Sequence, residues 1–167
     1  MPINLRSEFG PNEEMKLPYD EGSVFSIPLR DGGVARGVVA RKAPKGRVLL
    51  GYFFGPRLER EAPVALDDLS PDRALASIRF GDLRLIKGPW RVVGSIPDWQ
   101  RVDWPMPNFV RRDPISGKAW LIRYSDVDPL KSVSEPLSDY NDFGHLARDG
   151  LYGAEAAEIW ISKLLGE

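Results

Sequence analysis

Between Ser23 and Phe54 apolar residues recur at every second position in three short runs, and this alternation most constrains what the chain can fold into. Phe25, Ile27 and Leu29 share one face of the first run. Asp31-Gly32-Gly33 then supplies the positive-φ positions of a tight hairpin, and Val34 to Arg41 is the returning strand. Ala43-Pro44-Lys45-Gly46 reads as a β-turn with proline at its second position, after which Val48, Leu50, Tyr52 and Phe54 alternate with Leu49, Gly51 and Phe53. Both faces of this third run are apolar, so it is predicted to be central. Further short strands are predicted over Ile78 to Leu85, with a break at Gly81, at Trp90 to Gly94, and on either side of Asp113-Pro114, the second running from Ala119 to Tyr124.

Two helices complete the pattern. Ser70-Pro71-Asp72 has the order of N-cap, first-turn proline and dipole-favoured acid, predicting a helix of about two turns. From Ala154 onward Ala157, Trp160, Ile161 and Leu164 form one helical stripe, and Gly166 lies just past its end. The expected fold is α+β: a small, strongly bent antiparallel sheet resembling an SH3-like barrel, with a short internal helix and a C-terminal amphipathic helix. A chain of 167 residues suits one domain, assigned to 21–167, with 1–20 as an extended or poorly ordered lead-in.

Cysteine is absent and His145 is the single histidine. Disulfides, Cys-ligated zinc, iron–sulfur clusters, Cys nucleophiles and multi-His metal sites are therefore excluded, and a Ser–His–Asp triad would have to run through His145. Asp142 and Asp149 flank that histidine, but the surrounding sequence reads as a polar loop or short helix. Asp142-Phe143-Gly144 has no phosphate loop to accompany it, and Asp126 with Asp128 lacks the glycine a calcium loop needs. Glu59, Glu61 and Asp67-Asp68 read as a charged loop. No catalytic residue, cofactor site or metal site is expected. The longest apolar stretch, Val48 to Pro56, is too short to span a membrane, and the N-terminus lacks the apolar segment of a secretory signal. A cytoplasmic protein without a membrane or nucleic-acid partner is expected. Trp90 is read as a structural anchor, and the Trp99 to Phe109 segment, rich in Trp and Pro, as a lid or a partner contact.

The net charge of −1 conceals a dipolar chain. Arg30, Arg36, Arg41, Lys42, Lys45, Arg47 and Arg57 face only Asp31 in 30–57, whereas Asp126, Asp128, Glu135, Asp139, Asp142, Asp149, Glu155, Glu158 and Glu167 outnumber Lys131, Arg148 and Lys163 in 126–167. Either the two segments face and cancel one another, or the acidic one forms a surface for a cationic partner.

Two blocks carry a resemblance. Gly22-Ser-Val-Phe-Ser-Ile-Pro-Leu-Arg-Asp-Gly-Gly-Val-Ala-Arg-Gly-Val-Val39 resembles the opening hairpin of the immunity protein 26 family of bacterial polymorphic-toxin systems. Lys87-Gly-Pro-Trp90-Arg-Val-Val-Gly94-Ser-Ile-Pro97, with Trp104-Pro-Met-Pro-Asn-Phe109 after it, is similar to that family's second element. Ser23 stands where the family's opening block has an acidic residue. The resemblance implies a non-catalytic cytoplasmic protein that neutralises a cognate toxin domain by stoichiometric binding. The partner surface is expected at Asp126, Asp128, Asp139, Asp142 and Asp149, with Trp99 and Trp104. The alternatives are a small carboxylate-dependent hydrolase and an SH3-like adaptor for peptide or nucleic acid.

Overall fold

The computed structural model describes residues 16–30, 32–59, 66–139 and 146–166, and the alternating runs form the middle of its larger sheet. Strands β1 (Ser23–Pro28), β2 (Val34–Lys42) and β3 (Val48–Leu58) make an antiparallel meander. β4 (Ala76–Gly81) extends it beyond β3, and β5 (Arg91–Ser95) pairs with β1. A second sheet contains β6 (Phe109–Asp113), β7 (Lys118–Ser125), β8 (Asp128–Ser134), β9 (Leu137–Asp139) and β10 (Ala147–Arg148). β11 (Leu151–Tyr152) returns to the first sheet beside β4, giving the order β11-β4-β3-β2-β1-β5.

Because side chains alternate across a strand, the central strands bury one core on each face. Phe25, Ile27, Val39, Leu49, Phe53, Ile78 and Phe80 pack with Trp90 against helix α2 (Ala154–Gly166). Val24, Val38, Leu50, Tyr52 and Phe54 face the opposite way, onto Trp104, Phe109 and Ile122. The architecture is α+β in three layers, helix on sheet on sheet. The described strands form two open sheets and not the expected SH3-like barrel, whose interior would cover only one face of strands that are apolar on both.

Two glycines make room for the helix-side core. A Cβ on Gly37, paired with Phe25, would lie 2.3 Å from that ring, and one on Gly51 would lie 2.6 Å from Phe80. Trp90 completes the cluster, 1% exposed and stacked on Phe25 at 5.5 Å. Its indole N–H donates to Glu158 on α2 at 3.1 Å, and Glu158 also lies 3.6 Å from Arg30. Ser162, one turn on, accepts from the Arg30 backbone N–H at 3.1 Å. The inner face of α2 therefore combines Ala157 and Ile161 with two polar residues that have partners, while Leu164 of the predicted stripe is 42% exposed and Trp160 stacks on Tyr152.

The internal helix is displaced from its predicted place. Ser70 leads only into the 3-10 turn Pro71–Arg73, whereas the strand predicted to reach Leu85 ends at Gly81 and is followed by one helical turn, α1 (Leu83–Ile86). Buried Asp82 fixes this corner, accepting from the Tyr19 hydroxyl at 2.5 Å and lying 3.6 Å from Arg47. Tyr19, within the segment read as a lead-in, is 5% exposed.

Trp90→Ala is expected to cost about 3–5 kcal/mol in urea unfolding, as for other emptied aromatic sites. Three of the five tyrosines are held neutral by burial. Tyr52 is pushed up to about 12. Burial, followed by hydrogen bonds to Asp82 and Asp149, raises Tyr19 and Tyr124 as well. A raised folded-state value means that the native state holds its proton longer than the unfolded chain. Stability is therefore full below the ordinary tyrosine value of about 10 and falls as pH rises from there through about 12 for Tyr52. Urea midpoints followed together with phenolate absorbance are expected to show these tyrosines ionising only as the protein unfolds.

Candidate interaction surface

Much of the charge asymmetry is resolved inside the fold. Arg41, 0% exposed, has Asp126 at 2.8 Å and donates to the backbone carbonyls of Ala40, Trp104 and Asp126. Arg30 meets Glu155 at 3.0 Å and Glu158 at 3.6 Å. Arg79, on β4, reaches Asp149 at 3.1 Å and lies 4.2 Å from the centre of the Tyr124 ring, while the Tyr124 hydroxyl donates to the same carboxylate at 2.5 Å. The basic and acidic segments thus face one another at Arg30 and Arg41, while Arg79, outside the basic segment, takes up Asp149.

The residues expected to contact a partner divide accordingly. The Asp149 side chain is 12% exposed and belongs to the inter-sheet ion pair, where the expectation had it solvated. Trp104 is 3% exposed, edge-on to Tyr52 and Phe54, and is core: the flat apolar face of the sheet there needs a large ring to cover it. Trp99 is half-buried, tilted against Trp104 at 5.6 Å and seated on Gly22, where a Cβ would come within 2.9 Å of its ring. A bidentate Arg101–Glu21 contact at 2.9–3.2 Å clamps this segment down, making it a lid. Asp126, though paired with Arg41, keeps 67% of its side chain exposed, and Asp128 caps the Leu130 N–H at 2.9 Å. Asp139 lies in β9 opposite Lys118, whereas Asp142 and His145 lie outside the described residues.

An exposed edge runs between these acids. β8 and β9 lie along one side of β7, joined through Pro136, whose carbonyl accepts from Leu121 N–H at 3.0 Å. The outer side of β8 carries no strand among the described residues. Val127, Leu130, Val133 and Leu137 along it are 50%, 45%, 59% and 54% exposed. Lys131 lies within β8, Arg123 opposite Ser134, and Glu135, just past β8, meets Arg111 at 3.2 Å. No strand is predicted here from the sequence, because the apolar residues at 127, 130 and 133 fall three apart and hide the strand period.

Among the described residues no group of three or more His, Cys, Asp or Glu is placed to hold a metal, and no helix is long and apolar enough to cross a membrane. Replacing Asp149 by Asn would leave Arg79 buried without its counterion. A loss of about 3–5 kcal/mol is expected in urea unfolding, the range for breaking one side of a buried pair.

No curated protein and no solved structure matches the chain. The family described as immunity protein 26 matches residues 20–121, more than half of the chain, from the start of the meander into β7. With the opening hairpin, the Trp90 anchor and the Trp99 lid all inside that span, the chain belongs to the immunity protein 26 family.

Proposed function

We propose that this protein protects the cell that makes it by binding a cognate bacterial toxin domain one to one in the cytoplasm, without turning over a substrate. Family membership carries the reading. The exposed β8–β9 edge supports it: it carries exposed apolar residues on two strands, with Asp126 and Asp128 at the start of β8 and Asp139 in β9, all outside the family-matched residues. Such an edge offers unpaired backbone groups and apolar area, while its acids suit a toxin domain whose surface is cationic.

Purified protein mixed with its toxin domain is expected to saturate at equimolar ratio and abolish toxin activity, while esterase, phosphatase, nuclease and glycosidase substrates stay at background. Turnover lost with one carboxylate substitution would replace this reading by the hydrolase alternative. Within the complex, Val133→Glu with Leu137→Glu is expected to speed dissociation roughly 30-fold, the effect of losing an interface hot spot, and to leave stability within about 0.5 kcal/mol. Asp128→Asn with Asp139→Asn should instead slow association and flatten its salt dependence. Kinetics unchanged by both pairs of substitutions would move the interface to another face.

A further inference from the structure

Three arginines of the larger sheet are more than nine-tenths buried: Arg36, Arg41 and Arg79. Asp126 neutralises Arg41 and Asp149 neutralises Arg79. Among the described residues Arg36 has no such partner. Its Nη2 donates to the Gly55 carbonyl at 2.5 Å, its buried Nε has no hydrogen-bond partner, and it forms no ion pair among the described residues. Arg79 Nε is also unpartnered, but that guanidinium has its carboxylate. Arg36 opens on a cleft of about 480 Å³, walled by Phe54, Pro56 and Leu58, with Asp68 and Arg73. Those two charged residues contact each other at 3.8 Å, both side chains about two-thirds exposed.

A guanidinium buried without a counterion destabilises the state that buries it. Burial pulls Arg36 below the ordinary arginine value, and the field of Asp68 offsets this only in part. A planar fork with a free donor matches a carboxylate, and a pair formed against apolar walls is screened less than one in open water. Asp68 at the cleft disfavours a phosphate dianion more than a singly charged carboxylate. We propose that the Arg36 cleft receives an Asp or Glu side chain of the protein partner, which supplies in the complex the counterion that no described residue gives Arg36. This rests on the reading of the protein as a toxin-binding immunity protein.

The test compares wild-type protein with Arg36→Met in thermal unfolding and in release of the bound toxin domain. Arg36→Met is expected to unfold at the same or a higher temperature and to release toxin at least about 30-fold faster, as when one partner of a buried charge pair is removed. An unchanged release rate overturns the proposal and leaves toxin binding standing, whereas wild-type protein that captures no toxin overturns both. If Arg36→Met does not fold, Arg36→Lys, which keeps the charge and loses the fork, carries the same comparison. A partner-free arm follows the Arg36 Nε–H resonance with acetate and with phosphate at constant ionic strength. A saturable shift with acetate that phosphate does not match is expected; no shift, or a stronger one with phosphate, overturns the carboxylate assignment. A Glu61→Gln variant that moves the same resonance and abolishes its response to acetate would assign the counterion to this chain and likewise overturn the proposal.

Discussion

A positive charge set between two apolar layers has to be neutralised where it stands, and Arg79 meets its carboxylate 70 residues later in the chain. The rest of the C-terminal third is arranged around that requirement. Asp149 sits between β10, which pairs with β6, and β11, which pairs with β4, so one short strap crosses from the second sheet to the first at the point of the ion pair. Tyr124 closes the third side, offering its ring to the guanidinium and its hydroxyl to the carboxylate. Each member is satisfied only with the other two in place, which makes the contact cooperative.

The same logic extends to the other ends of the molecule. Arg41 under the lid waits for Asp126, and Trp90 and Arg30 on the helix side both engage Glu158. In each case the residue from the family-matched span is matched by one outside it. The segment beyond residue 121 therefore completes the charges and cores of the family-matched architecture with one set of residues and presents the exposed β8–β9 edge with another.

The meander, the Trp90 anchor and the terminal helix were legible because each rests on a periodicity or a local turn signal: Phe25, Ile27 and Leu29 at period two, Asp31-Gly32-Gly33 between strands, and Ala157 and Ile161 four apart. What escaped depends on tertiary pairing. Glu158 and Ser162 read as outward-facing polar residues until Trp90 and Arg30 are brought to them. Asp149 reads as a solvated acid for the same reason, and Trp104 as available surface because nothing in its neighbourhood announces Tyr52 and Phe54 beneath it. The opposed charges were visible in composition, and the choice between mutual cancellation and an acidic face was not: the structure uses Glu155 and Glu158 at Arg30 and Asp126 at Arg41 for the first, and leaves much of the Asp126 side chain outward.

The strap also sets when the molecule can be finished. Its strands pair with residues synthesised long before, Ala147 with Phe109 and Leu151 with Arg79, and such non-local pairings are made late in folding. A nascent chain halted short of residue 149 lacks β11 and α2 and holds Arg79 without its counterion in the layer where the sheets meet, so it is expected to stay open to proteolysis. Closure of the two sheets on each other therefore waits for residues 147–152, and the ion pair forms only once they arrive.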